Sequence, residues 1–187
     1  MEIFTPIETC WVCGGRERAP LSTASFDLTA FHGQHPDLAR YTGKTVQVVE
    51  CRRCGFGQPE ALPSLPGYFE QIYDQEWSAE WIEGEFAATY KDLIFGRVLE
   101  ELGRRVAASD RRLLDIGAHV GRLMSLASRG GWAVEGIELN PRTSAYAARA
   151  TGLPVHRQDA ATLAERGVQY GAVTLIDVLE HIPKPVE

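Results

Sequence analysis

The 187-residue sequence predicts an α/β domain built on a parallel sheet, preceded by a helical stretch and a small cysteine-rich module. Three observations carry this reading. From Arg111 onward, short and nearly continuous apolar runs alternate with helical patterns, as expected for parallel strands covered on both faces. Residues 68–108 carry apolar side chains at three- and four-residue steps. Residues 1–60 are loop-rich and hold all four cysteines. The expected organisation is therefore a cysteine module over 1–60, a linker and helical region over 61–110, and the α/β part over 111–187.

Each element has its own signal. "KTVQVVEC" (Lys44–Cys51) reads as a strand, and "PEALPSLPG" (Pro59–Gly67), with three prolines and a terminal glycine, reads as a linker. In the helical region Tyr90, Leu93, Ile94, Val98, Leu102 and Val106 would form one apolar face. Trp77 and Trp81, four residues apart upstream, are expected to pack between domains. "RLLDI" is the first strand of the α/β part, followed by a helix from Gly121 to Arg129 that ends at Gly130-Gly131. "AVEGIEL" is the second strand, and Asn140-Pro141 supplies an N-cap and first-turn pair for a helix stopping at Gly152. "LPVHR" is a short third strand, Asp159 caps a brief helix to Glu165, and "GAVTLIDV" is the fourth strand.

Composition narrows the function. Hydrophobic residues make up 44% of the chain, ordinary for a globular protein. No apolar run approaches the ~20 residues that span a bilayer, so no membrane partner is expected. The N-terminus lacks the basic-then-apolar pattern of a signal peptide, which makes a cytoplasmic location the expectation. Net charge is −6. The deficit lies in residues 67–110, with 4 basic and 10 acidic groups, while the flanking regions are near balance. No basic stripe is visible, which counts against nucleic acid as a partner.

Cys10 and Cys13 in "CWVCGG", and Cys51 and Cys54 in "CRRCGFG", form two matched C-x-x-C pairs. A two-residue spacer lets both thiolates reach one tetrahedral ion at ~2.3 Å. Gly14 and Gly55 allow the tight turn that aims backbone N–H groups at sulfur. Disulfides do not suit a cytoplasmic protein, and a redox C-x-x-C would occur once beside a βαβ unit. The expectation is a structural Zn2+, since a closed four-cysteine site leaves no position for substrate. His32 and His35 lie between the pairs and are expected at the surface or facing substrate rather than on the metal.

"LLDIGAHVGRLM" (Leu113–Met124) places an acid and a glycine turn at a strand tip, followed at once by a helix. Small residues allow close backbone approach, and the helix start offers unpaired N–H groups. Ligands of open α/β sheets bind beyond the carboxyl ends of the strands, where this loop would lie. A dinucleotide fingerprint starting at Gly117 would need glycines at 119 and 122. Those positions are His119 and Arg122, so that match fails. Glu138, ending the second strand, could hold a ribose in either cofactor class.

These residues resemble the class I S-adenosylmethionine-dependent methyltransferases over about residues 68–187. The first motif of that family resembles "LLDIGAHVG", its second-strand acid matches Glu138 in "VEGIELNP", its adenine-side acid resembles Asp159 in "RQDAA", and its fourth-strand motif resembles "LIDVLEHIPKP". The resemblance implies a Rossmann-like methyltransferase sheet with parallel strands in the order 3-2-1-4, incomplete because the family has seven strands and four are legible. It implies S-adenosylmethionine as cofactor: Gly117 and Gly121 packing against its methionine part, Asp115 orienting its amino group, Glu138 on the ribose hydroxyls, Asp159 on the adenine amino group, and Asp177 near the methyl donor. His181 faces substrate in related enzymes and is the candidate general base. Asp159 and Asp177 also suit helix capping, and His181 before Ile-Pro suits helix entry. The family has glycine where this chain has His119, so that side chain must point away from the cofactor or crowd it.

The paired knuckles resemble a zinc module found ahead of some of these enzymes, including sugar C-methyltransferases. Tyr68 and Tyr73 lie where those relatives carry tyrosines between the two modules. The implied activity is methyl transfer to a small-molecule acceptor, with a nucleotide-linked sugar as the specific expectation. Two rivals stay open: an inactive scaffold carrying a zinc module, and an RNA methyltransferase. With four strands legible, Val173, Leu175 and Ile176 would form an unpaired apolar edge, and the chain is expected to form a homodimer through that fourth strand.

Overall fold

The computed structural model describes residues 3–29, 36–68 and 76–182. His32, His35 and Tyr73 lie outside the described residues. The chain divides into two compact units, one on Met1–Gln75 with Ile182–Glu187 and one on Glu76–His181. No helix among the described residues is long and apolar enough to cross a membrane.

The first unit holds two small antiparallel sheets. β1 (Phe4–Pro6) pairs with β5 (Ala61–Pro63), while β2 (Arg18–Ser25), β3 (Thr45–Cys51) and β4 (Gly57–Pro59) form the other in that order. β3 starts one residue inside the stretch expected for it. The stretch expected as a linker instead supplies the end of β4 and all of β5. Proline lacks a ladder donor, but two- and three-stranded sheets have edges where none is needed, which is how Pro59 and Pro63 enter strands. The core is Leu28, Leu38 and Tyr41, flanked by Phe4, Phe26, Leu65 and Tyr68. Phe4 meets Tyr41 edge-on at 5.6 Å. Tyr68 thus packs on this unit's own core.

In the second unit, α1 (Ala79–Ala87) and α2 (Asp92–Arg105) precede the sheet. Ser78 caps α1 by accepting from the Trp81 N–H at 3.1 Å. Along α2 Phe95 is buried, and Leu99, Leu102 and the C-cap Val106 are partly buried against the sheet's core. Tyr90, Leu93 and Ile94 are instead exposed, at 63%, 77% and 56%. The helix carries two apolar rows, and only the one ending in Leu102 and Val106 meets the sheet. Trp77 and Trp81 stack on each other with ring centroids 4.0 Å apart, and Trp81 packs on His119 of the same unit.

The sheet is parallel throughout: β6 (Arg112–Ile116), β7 (Ala133–Ile137), β8 (Val155–His156) and β9 (Ala172–Thr174) lie in the order β8-β7-β6-β9. This is the expected 3-2-1-4 order. Helices α3 (Arg122–Arg129), α4 (Pro141–Thr151) and α5 (Ala160–Ala164) connect the strands. Asn140 caps α4 by accepting from Arg142 N–H at 2.9 Å, Pro141 opens its first turn, and Gly152 closes it at φ 69°.

Alternation along the strands separates two faces. On one, Leu113, Val134 and Ala172 pack with Met124, Ala127, Trp132, Leu99 and Leu102. On the other, Leu114 and Ile137 pack with Leu163 of α5, and charged Arg112 and Glu135 share that face with them. Its outermost member, Val173, is 48% exposed. β9 is shorter than the eight-residue run expected, because the strand ends at Thr174 and the chain turns over residues 176–178, where Asp177 adopts φ 54°.

Candidate functional site

The four cysteines are free thiols whose sulfurs all lie within 4.8 Å of one another. Cys10 Sγ is 3.6 Å from Cys54 Sγ, and Cys13 Sγ is 3.5 Å from Cys51 Sγ. A tetrahedral ion held by sulfur at ~2.3 Å sets the sulfurs ~3.8 Å apart, so the cluster has the dimensions of such a site. The two knuckles share one backbone pattern. Gly14 N–H donates to Cys10 O and Gly55 N–H to Cys51 O, both at 2.9 Å; Cys10 N–H donates to Gly15 O and Cys51 N–H to Phe56 O. Gly14 and Gly55 sit at φ 70° and 75°, the left-handed region in which glycine is free of strain. A Cβ at Gly15 would come within 3.3 Å of both Cys51 and Cys13 Sγ. N–H groups of Arg53 and Cys54 favour the Cys51 thiolate and pull that thiol down to about 7. Buried Gln58 braces the first knuckle, accepting from Trp11 N–H at 2.8 Å and donating to Thr9 O at 3.1 Å.

The second candidate lies at the carboxyl ends of the parallel strands. Asp115 sits on β6 beside Thr174 of β9, its register partner, and Thr174 Oγ1 donates to Asp115 Oδ1 at 2.8 Å. Burial, opposed by that hydrogen bond and reinforced by the charge of Glu138, raises the Asp115 carboxyl to about 7. Gly117 follows at φ 74°, and a Cβ there would run into Val178. Gly121 opens α3 at φ 81°, and its Cβ would stand 3.0 Å from Ala147 Cβ and Thr151 Cγ2 of α4. Both glycines therefore serve close packing as well as the turn.

Glu138 holds the loop in place. One carboxylate oxygen accepts from His119 N–H and the other from Asn140 N–H, each at 2.8 Å. A carboxylate has about four acceptor positions, so two remain. His119 occupies the left-handed region at φ 51° and turns its ring to Trp81, with centroids 5.5 Å apart at 74°.

The other sequence-derived residues follow the strands β8 and β9, each with its own hydrogen-bond partner. Asp159 caps α5: Thr162 N–H donates to its Oδ1 at 2.6 Å, and contacts to the hydroxyl and N–H of Thr162 hold its carboxyl below the ordinary range. Asp177 accepts from Lys91 Nζ at 2.6 Å, which raises the lysine. His181 is exposed in a one-turn 3-10 helix, its N–H donating to Val178 O at 2.9 Å. Asp115, Gly117, Glu138 and His119 are thus joined through one loop.

Three partners were not read from the sequence. Thr174 follows from the strand order, because adjacent β6 and β9 place it opposite Asp115. Lys91 and Arg122 carry no local signal. Arg122 pairs with Asp92 (Nε to Oδ1, 2.9 Å) and donates to Phe86 O at 3.2 Å, tying α3 to the α1–α2 segment. A separate cleft of about 500 Å³, lined by Gly96, Gly103, Arg111 and Trp132, opens at the amino ends of the strands. Its Arg111 lies near the C-terminal turns of α2 and α3, where a cation offsets the helix dipoles.

A family model described as a methyltransferase domain matches residues 86–187. Among solved structures, the chain is similar to magnesium protoporphyrin IX methyltransferase from Synechocystis PCC 6803 with bound SAM, at 19% identity and a TM-score of 0.42, covering 64% of this chain and 60% of that one. It is similar to the sugar N-methyltransferase KedS8 from Streptoalloteichus sp ATCC 53650, at 26% identity and 0.30, covering 56% and 36%. A SAM-dependent methyltransferase from Thiobacillus denitrificans in complex with S-adenosyl-L-homocysteine matches at 22% and 0.26, covering 54% and 38%. The chain thus spans 60% or less of the length of these proteins. No curated protein matches the sequence. The family model covers more than half of the chain, which therefore belongs to the methyltransferase-domain family.

Proposed function

We propose that the protein is an S-adenosylmethionine-dependent methyltransferase acting on a small molecule, with a structural zinc in its N-terminal unit. The observation that carries the reading is the Asp115–Gly121 loop at the carboxyl ends of a 3-2-1-4 parallel sheet, clamped by Glu138. When bound, the cofactor supplies an electrophilic methyl group on a sulfonium.

The chain's own residues would position it. Asp115 would accept the amino group of the methionine part. The two remaining acceptor positions of Glu138 would take the ribose hydroxyls, and Asp159 would face the adenine amino group while capping α5. Gly117 and Gly121 keep the loop close to its neighbours. Asp177, neutralised by Lys91, would border the methyl donor, and His181 would take a proton where the acceptor must lose one. Four thiolates of tetrahedral dimensions suit Zn2+, and their closed set gives that ion a structural role.

For the acceptor we infer a nucleotide-linked sugar. Support comes from the resemblance of the paired knuckles, ahead of the methyltransferase domain, to the zinc module of sugar C-methyltransferases.

Calorimetric titration with S-adenosylhomocysteine tests the cofactor reading, with Asp115→Asn as control. Asparagine keeps an oxygen for the Thr174 hydroxyl and removes the charge. The expected result is micromolar binding, weakened at least tenfold in the variant, a loss of about 1.4 kcal/mol or more. Absence of heat from the wild-type protein would overturn the assignment and favour the scaffold reading.

A further inference from the structure

His119 stands where the family resemblance calls for glycine, and its backbone is in a conformation that suits glycine, φ 51°. A non-glycine residue is strained there, though histidine tolerates it better than most. Two contacts offset that strain. The His119 N–H is bound by Glu138 at 2.8 Å, and the ring lies 5.5 Å from Trp81, nearly perpendicular to it. The first contact needs only the backbone, so a glycine would make it equally well. The second needs the imidazole.

Trp81 belongs to α1, which has few other anchors. The helix buries one residue, Ile82. Its C-terminal end is held by Arg122 on Phe86 O and by Phe86 against Tyr146, ring centroids 5.6 Å apart. Just ahead of its N-terminal end, Arg142 Nη1 donates to Trp77 O at 3.0 Å, and Trp77 stacks on Trp81. The middle of the attachment is the Trp81–His119 contact, which joins α1 directly to the loop between β6 and α3. Burial disfavours the imidazolium, so at neutral pH the ring is an uncharged aromatic. Edge-to-face aromatic pairs of this kind attract beyond the burial of their surfaces, because the positive edge of one ring meets the negative face of the other.

We propose that His119 is a positioning residue: its imidazole latches α1, through Trp81, onto the strand-end loop and so slows release of the cofactor that the loop holds. The release part rests on the cofactor reading above; the latch itself does not.

The test is a double-mutant cycle of His119→Asn and Trp81→Leu with two readouts. Asparagine accepts the left-handed conformation and keeps the N–H to Glu138, so the fold is retained while the ring is lost. The first readout is amide hydrogen exchange over residues 79–87 in the ligand-free protein. His119→Asn should exchange about five- to tenfold faster there and Trp81→Leu, which also loses the Trp77 stack, at least as fast, with the β6–β7 amides unchanged and the double variant no faster than Trp81→Leu alone. Unchanged exchange in His119→Asn, or additive effects in the double variant, would overturn the latch. The second readout is the dissociation rate of S-adenosylhomocysteine, expected to rise about five- to tenfold in His119→Asn, at least as much in Trp81→Leu, and no further in the double variant than in Trp81→Leu. Faster exchange with an unchanged dissociation rate would overturn the positioning role. A wild-type protein that binds no S-adenosylhomocysteine would overturn the cofactor reading and the release role, while the exchange cycle would still decide the latch.

Discussion

At the scale of single residues, Asp115 and Glu138 divide the work of the strand-end loop. Glu138 spends half its acceptor capacity on two backbone N–H groups, which sets where the loop lies. Asp115 is buried, with its hydrogen bond from Thr174, and is raised from 3.8 to about 7. Between those values the folded protein holds a proton that the unfolded chain has lost. Its contribution to stability is therefore complete below about pH 4 and disappears as pH rises through 7, a difference on the order of 4 kcal/mol. Denaturant unfolding of wild type and Asp115→Asn from pH 4 to 8 should show a fall in wild-type stability that the variant lacks. Parallel pH profiles would show that the carboxylate ionises without cost. A bound ammonium would reverse the preference, so cofactor binding near pH 7 should release a proton from this residue.

At the scale of elements, the helices differ in what holds them. α3 is pinned by Met124, fully buried against β7 at Gly136, where a Cβ would come within 2.6 Å of the methionine sulfur and 2.9 Å of Ala118 Cβ. Met124→Ala should cost about 2–5 kcal/mol of unfolding free energy, measured by denaturant titration, because close packing against Gly136 leaves little to fill the void. A cost below 1 kcal/mol would mean that the helix settles onto the strand. α2 is different: one row packs on the sheet's core, while Leu93 and Ile94, with Tyr90 just ahead of the helix, face solvent. Periodicity alone does not separate these two rows, since both recur at helical steps. The β5 strand was obscured for another reason: three prolines in nine residues read as a linker, and only its pairing with β1 reveals a strand.

Across the whole molecule, the glycine turns and the matched cysteine pairs were legible because each depends on local chemistry, while the strand order followed from the family resemblance. Asn140, Pro141 and Gly152 mark α4 from end to end, and glycines at 14, 55, 117 and 121 all take positive φ. What was not legible depends on distance. Lys91 finds Asp177 across 86 residues, and His119 meets Trp81 in a conformation that a histidine rarely adopts. The terminal position of β9 in its sheet also bears on assembly. With Val173 48% exposed beside that outer edge, the chain is expected to self-associate through β9. Sedimentation over a hundredfold concentration range should show a growing dimer fraction, and a monomer throughout would refute pairing at this edge.

The matched knuckles carry a consequence for the N-terminal unit. Each closes its own five-residue ring of backbone bonds, so each is a bidentate claw formed locally, and the two claws are separated by 37 residues of chain. An ion shared between them is a reversible cross-link across that span. Unlike a disulfide, its strength is not a constant of the protein. With zinc as proposed, the folded population of this unit would follow the activity of free metal, by about 1.4 kcal/mol for each decade of concentration above the dissociation constant. Metal availability, rather than sequence alone, would then set how long this half of the chain stays folded.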